Sequence, residues 1–351
     1  MLAKGLSQKK YQLHLGLMTG AAVPADGIPA GVTVHTLAGL RVRSSAFRLL
    51  ALVRRVKPRL ILSGMYHLNF LVLLLRPFFP RPVQVFIRQN GTASAALLDG
   101  KLPVYTRLLY RRLYSQADRV ICQSTAMAND LAREFSVPAS KLIILPNPIE
   151  VDAIRAAIPR SPAQWTGPGP HLLAVGRLSR EKGFDLLLEA LVHVRNQFPH
   201  VDLVIAGAGS EESALKAQCR ALGLESAVCF AGHVEQLMTY FSGATAFVLS
   251  SRHEGLPNAL LEAAAGGLPI VALPASDGIR DLLRGKKGTW LASEISAPAL
   301  AAALLAALKS IDAGQRFQHA FIDEFRFDRA IRAYEDLIDS SLSDASIKGR
   351  K

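Results

Sequence analysis

Short apolar runs of β type alternate with helical patterns along almost the whole chain, and this alternation restricts the fold more than any other feature. After position 170 the runs His171–Val175, Val201–Ile205, Ala227–Phe230, Ala246–Ser250 and Pro269–Leu273 are separated by helical patterns at Phe184–Val194, Glu211–Ala221, Val234–Phe241 and Pro257–Ala265. Strands separated by helices cannot close as hairpins. They must run parallel, with the helices covering both faces of the sheet. The first half repeats the pattern, with strands expected near Gln12–Leu17, Thr33–Thr36, Leu60–Ser63, Val83–Ile87, Arg119–Cys122 and Lys141–Leu145. Val104–Tyr114 and Ala126–Phe135 read as helices between them.

Ser161 to Pro170 is rich in Pro and Gly, has no apolar period, and reads as a linker. The expected organisation is therefore α/β: residues 1–160 as one doubly wound domain, 161–170 as linker and 171–325 as a second domain. A final helix at 326–342 carries Ile331, Tyr334, Leu337 and Ile338 on one face and needs a surface to cover. In open sheets of this kind, ligands bind at the carboxyl ends of the strands.

Composition narrows the classes. Of 351 residues, 50% are hydrophobic and 20% charged, which excludes a disordered chain. Three cysteines (Cys122, Cys219, Cys229) without C-x-x-C spacing argue against a disulfide framework or structural zinc and favour a reducing compartment. The longest apolar stretch, Leu60 to Phe79, is broken by His67, Asn69 and Arg76, so no membrane span is expected. Lys4, Lys9 and Lys10 ahead of Tyr11–Val23 loosely imitate a secretory signal, but Gln12 and His14 interrupt the apolar run. The net charge of +13 is one-sided: residues 1–165 hold 22 basic and 7 acidic residues, or +15, whereas residues 166–351 hold 19 and 21, or −2. Such a field attracts polyanions, from lipid head groups to phosphorylated acceptors, although no nucleic-acid recognition motif accompanies it.

Two loops carry the chemistry. Strand Leu172–Val175 runs into Gly176-Arg177-Leu178-Ser179-Arg180-Glu181-Lys182-Gly183 just before a helix. Cations and glycines at a sheet's carboxyl edge and a helix N-terminus suit a diphosphate, the bland alternative being a solvated basic loop. The segment after Ala246–Ser250 reads Ser250-Ser251-Arg252-His253-Glu254-Gly255-Leu256-Pro257-Asn258-Ala259-Leu260-Leu261-Glu262, with Pro257 expected at the first helical position. Glu254 then lies ahead of the helix and Glu262 about two turns into it, so that one extended ligand can span both. A nucleotide sugar has that form, with sugar hydroxyls to Glu254, diphosphate to the intervening N–H groups and ribose to Glu262.

Taken together, GRLSREKG (Gly176–Gly183), Gly207-Ala208-Gly209, Phe230-Ala231-Gly232 and EGLPNALLE (Glu254–Glu262) resemble, in order and spacing, glycosyltransferase family 4, the retaining enzymes of GT-B fold. The resemblance extends to Ile121-Cys122-Gln123-Ser124 and Pro146-Asn147-Pro148. It implies two Rossmann-like domains facing a cleft, and a final helix that returns to the first. Arg177 and Lys182 would neutralise the donor diphosphate, Glu254 would orient the sugar, and Glu262 would hold the ribose. Gly176, Gly207, Gly209, Gly255, Leu256, Pro257, Asn258 and Ala259 would complete the donor site. Asp277-Gly278-Ile279-Arg280-Asp281 corresponds loosely to the family's Gly-Gly-Ile-x-Glu. No D-x-D motif occurs, so no metal is expected, and the nucleotide sugar is a substrate rather than a cofactor.

The start departs from the family. Leu2–Ser7 reads as the end of the helix that should follow a first strand and Gly-rich loop, so the first strand of the N-terminal domain is expected to be missing. Arg88, Gln89 and Asn90 stand at a strand end where many relatives carry His, and with His67 they are the candidates to face the cleft from the first domain. Gln89 can hydrogen-bond but cannot serve as a base. Arg76-Pro77-Phe78-Phe79-Pro80-Arg81 and the basic helix around Arg107, Arg111 and Arg112 suggest an anionic membrane surface as partner, on the cytoplasmic face. The resulting expectation is a hexosyltransferase, acting from a UDP-sugar or secondarily GDP-mannose on a glycan or lipid-linked acceptor in polysaccharide synthesis. Its rivals are a nucleotide-sugar epimerase and a non-catalytic basic binding protein of the same fold.

Overall fold

The computed structural model describes residues 2–17, 28–37, 45–80, 83–98, 103, 105–159, 164–165, 167–312 and 314–348. Residues 18–23 of the signal-like stretch, Arg81, Val104 and linker positions 161–163 and 166 lie outside them. The chain forms two compact units, Met1–Pro148 with Phe327–Lys351, and Ile149–Arg326.

In the first unit β1 (His14–Leu17) and β2 (Thr33–Thr36) pair in parallel. A separate parallel sheet runs β3 (Leu60–Ser63), β4 (Gln84–Gln89), β5 (Arg119–Cys122) and β6 (Leu142–Ile144) in spatial order. In a doubly wound sheet such strand pairs flank a central strand, and among the described residues no strand joins the two sheets. The pleat of β4 divides its side chains between two cores. Val85 and Ile87 pack with Phe70, Tyr110, Tyr114 and Leu131, whereas Phe86 packs with Ile121, Leu145, Tyr334 and Ile338. Tyr334 and Ile338 belong to the final helix, Phe327–Lys348, which is thus part of this unit.

The second unit carries one parallel sheet of six strands: β7 (His171–Val175), β8 (Asp202–Ala206), β9 (Val228–Gly232), β10 (Ala246–Leu249), β11 (Ile270–Ala272) and β12 (Thr289–Leu291). Their spatial order is β12-β11-β10-β7-β8-β9, the doubly wound arrangement in which winding reverses between β7 and β10. Successive side chains alternate between two cores: Leu172, Leu203, Ala246 and Val271 face one, and Leu173, Val204, Phe247 and Ile270 the other. Apolar residues at nearly every strand position are what a sheet covered on both faces requires.

The units divide at Pro148, ahead of the expected linker at 161–170. The cause is the helix Val151–Ala157, whose Val151 and Ile154, together with Ile158, pack into the core of the second unit. Arg155 Nε donates to Ala265 O at 3.0 Å, and Trp165 stacks on His171 with centroids 4.7 Å apart.

Loops at the carboxyl edge meet backbone to backbone. Gly207 follows β8 with φ +146°, and a Cβ there would stand 1.9 Å from Gly176 O. A Cβ on Gly209 would stand 2.3 Å from Leu178 O. Since Gly207→Ala must both part these loops and hold a backbone angle L-residues avoid, it should lower the thermal unfolding midpoint by roughly 5 °C or more. An unchanged midpoint in calorimetry would show that the loops separate freely.

Candidate active site

The reversal of winding places the loop after β7 beside the loop after β10. Gly176 N–H donates to Ala206 O (3.0 Å) and buried Leu178 N–H to Ala208 O (3.1 Å), which pins the first loop to its neighbour. The chain then makes a 3₁₀ turn at Arg180–Lys182 and passes Gly183, with φ +62°, into the helix Phe184–Arg195. A Cβ on Gly183 would meet Ser250 O at 2.1 Å, so here too glycine permits backbone contact between loops.

This packing delivers Lys182 to Glu254. Lys182 Nζ pairs with Glu254 Oε1, which also accepts a hydrogen bond from Ser251 Oγ at 3.0 Å. Both side chains are largely covered, at 18% and 12% exposure. Desolvating such a pair is costly unless its lone pairs are satisfied, and Ser251 helps to satisfy them. The Lys182 stem lies over Gly176, where a Cβ would stand 3.3 Å from Lys182 Cδ. Arg177, by contrast, is 80% exposed and held only at 3.3 Å by Glu181.

Two features of the second loop differ from expectation. Pro257 is the N-cap rather than the first helical residue, and the helix runs from Asn258 to Ala265. Glu262 is accordingly the fifth residue of that helix, a little over one turn in rather than two. Leu256, 8% exposed, sinks into the core with Leu260 and Leu261 and anchors the helix start, leaving Gly255, Asn258 and Ala259 around it. The Asp277 segment is a helix capped by Ser276, and Glu254 N–H reaches Ala275 O ahead of it at 3.4 Å.

Gly207 and Gly209, expected at the donor, have a packing duty in the close approach described above. Sequence reasoning missed Asp185 and gave Arg252 no part. The Arg252 guanidinium makes a two-point contact with Asp185 (2.7 and 2.6 Å), and its Nη1 also donates to Arg180 O at 3.0 Å. An acid in the first turn of a helix and an arginine in a strand-end loop were visible signals, but their meeting depends on strand order.

In the first unit Arg88 and Gln89 close β4, Asn90 follows it, and His67 is the second residue of the helix Tyr66–Leu75 that follows β3. Gln89 is buried at 5% exposure, with Nε2 donating to Gly91 O (2.7 Å) and Oε1 accepting from Tyr114 OH (2.8 Å). Tyr114 OH also accepts from Asn69 Nδ2 at 3.1 Å. Gln89, a candidate to face the cleft, belongs to a buried network that shapes the β4 loop. Arg88 Nη2 contacts Asn147 Oδ1, Asn90 Nδ2 contacts Gly64 O, and Asn90 Oδ1 accepts from Gln123 Nε2 at 3.1 Å. His67 packs edge-on against Tyr66.

Residues 160–322 match the family glycosyl transferases group 1, and residues 1–153 match Glycosyltransferase Family 4. An uncharacterized glycosyltransferase of Haemophilus influenzae is 37% identical over 123 residues, 35% of this chain and 35% of that protein. Among solved structures, sucrose-phosphate synthase from Thermosynechococcus elongatus superimposes with a TM-score of 0.82 at 17% identity, covering 98% of this chain and 92% of that one. HepE of Anabaena, in complex with UDP and glucose, superimposes with a TM-score of 0.78 at 16% identity, covering 95% and 93%. The fold is GT-B. Each of the two family models, both of them of glycosyltransferases, matches a little under half of the chain. The chain spans between about a third and three-fifths of the length of the curated relatives it matches, 35% and 62% in the first two.

Burial pushes the Glu262 carboxyl above its ordinary range. A raised folded-state pKa means the charged form costs stability: the cost is absent below the unfolded value, near 4.3, and grows as pH rises through the folded one. Glu262→Gln, which removes the charge at nearly constant shape, should therefore unfold with wild type at pH 4 and about a degree or more above it at pH 7. A variant less stable than wild type at pH 7 would show that the carboxylate is held by favourable contacts instead.

Proposed function

We propose that this chain is a retaining glycosyltransferase that moves a sugar from a nucleotide-sugar donor, a UDP-sugar first and GDP-mannose second, to a glycan or lipid-linked acceptor in cell-surface polysaccharide synthesis. The observation that carries the reading is the Lys182–Glu254 pair at the winding reversal of the second unit. That edge is where doubly wound sheets bind nucleotides. A cation and a carboxylate held together there offer one group for a diphosphate and one for sugar hydroxyls. HepE, of the same fold, binds UDP and glucose, which supports the uridine donor as first choice.

The chemistry follows from charge. Breaking the anomeric C–O bond leaves the electron pair on the nucleoside diphosphate, and the negative charge grows towards the leaving oxygen. Lys182, fixed by Glu254 and by its place over Gly176, needs little reorganisation to meet that charge. Arg177 is exposed, and the phosphates can compete for it with its 3.3 Å ion pair to Glu181. The N-terminus of helix Asn258–Ala265 adds N–H dipoles of the same sign. These groups supply the charge stabilisation that a metal ion would give. Lys182→Ala and Arg177→Ala should each cut transfer by about 100-fold; Arg177→Ala should leave folding nearly unchanged, whereas Lys182→Ala, which strands the covered Glu254 carboxylate, should lower the unfolding midpoint. Purified variants that kept more than about half the wild-type turnover at saturating donor would refute the diphosphate assignment.

The acceptor side is assigned to the basic first unit, docked on the cytoplasmic face of an anionic membrane. Among the described residues no helix is long and apolar enough to cross a membrane. The helix Thr106–Leu113 buries Thr106, Tyr110 and Leu113 and turns Arg107, Arg111, Arg112 and Leu108 outwards beside exposed Tyr105. A helix with apolar and basic residues on one exposed face suits an anionic interface, at about 1 kcal/mol per basic residue near the surface. Neutralising Arg107, Arg111 and Arg112 together should weaken sedimentation with anionic liposomes at low salt and leave nucleoside diphosphate affinity unchanged. Equal sedimentation of wild type and triple variant would remove this helix from the interface.

A further inference from the structure

We propose that Arg252 is a positioning residue of the donor site: by tying the turn after β7 to the end of β10 it sets where Lys182 stands, and through Lys182 it sets the affinity for diphosphate. This rests on the nucleotide-sugar reading above and deepens it.

Three successive carbonyls of the turn are taken by the β10 loop. Arg252 Nη1 donates to Arg180 O at 3.0 Å, Arg252 N–H to Glu181 O at 2.8 Å, and Ser250 Oγ to Lys182 O at 2.8 Å. The guanidinium then spans to Asp185 in the first turn of the following helix, at 2.7 and 2.6 Å. The turn is thus held on both sides of Lys182, at the 180–181 carbonyls before it and at Asp185 after it. Gly183 meets Ser250 O with no room for a side chain, so the turn has no slack to settle elsewhere while the strut is in place. Arg252 does not line up on Glu254 or on Lys182 Nζ in any of these contacts; it acts on their frame.

Only a planar fork makes this set of bonds. A lysine at 252 keeps the charge but cannot grip both Asp185 oxygens and the Arg180 carbonyl in one geometry. The arginine is therefore selected by shape as much as by sign. Burial opposes ionisation of Asp185, yet the adjacent guanidinium holds its carboxyl below the ordinary range, so the pair is charged across the neutral range.

The test is a double-mutant cycle on nucleotide binding, with UDP and GDP as probes titrated calorimetrically and thermal unfolding measured in parallel. With whichever diphosphate wild type binds, Arg252→Ala should weaken affinity about tenfold and Lys182→Ala at least as much. The double variant should bind no more than about twofold worse than Lys182→Ala alone, because the strut acts through that lysine. Arg252→Lys should fall between wild type and Arg252→Ala, and it carries the same cycle if Arg252→Ala does not fold. Multiplying losses in the double variant, or unchanged affinity in Arg252→Ala, would overturn the positioning role while leaving the donor site intact. Wild type that binds neither UDP nor GDP would overturn the nucleotide-sugar reading itself, and the strut's role with it.

Discussion

The second unit depends on backbone meeting backbone. Gly207 and Gly209 let the loop after β8 lie against the Gly176–Leu178 carbonyls, and Gly183 lets the next turn lie against Ser250 O. Three loops from strands far apart in sequence are thereby stacked with almost no side chain between them. Charged groups at their surface inherit positions set by covalent geometry rather than by long flexible stems. That is the physical basis on which a Lys–Glu pair can be both desolvated and fixed. It also gives Gly207 and Gly209, expected at the donor, a packing duty.

Much of this architecture was legible in the chain. Alternating strand and helix patterns specified parallel sheets, because no hairpin can be drawn through them, and the loops carrying Lys182 and Glu254 stood out at strand-to-helix transitions. What stayed hidden depended on strand order or on partners distant in sequence. Arg252 and Asp185 are 67 residues apart and meet only because β7 and β10 are neighbours. The bond from Tyr114 OH to the side-chain carbonyl of Gln89 likewise joins residues 25 positions apart. The unit boundary moved to Pro148 because the helix Val151–Ala157, unremarked in the pattern, has an apolar face that the second core absorbs.

The first unit is built on the opposite principle. Its centre is an aromatic and polar cluster in which Phe70, Tyr110, Tyr114 and Phe135 pack ring against ring, with centroids 4.6 to 5.9 Å apart. The amides of Asn69 and Gln89 thread hydrogen bonds through it. Buried hydrogen bonds of this kind narrow the arrangements open to a core. Here they hold the end of β4, where Arg88, Asn90 and Gln123 converge.

The final helix gives the molecule a particular history on the ribosome. Phe86, Ile121 and Leu145 complete their core only with Tyr334 and Ile338, nearly two hundred residues later than the last of these three. The second unit, an uninterrupted segment from Ile149 to Arg326, can close as it emerges. The first to be synthesised is thus the last to be sealed, and it carries an open apolar surface throughout that interval. A nascent chain in this state is exposed to misassembly and is a natural client for chaperones.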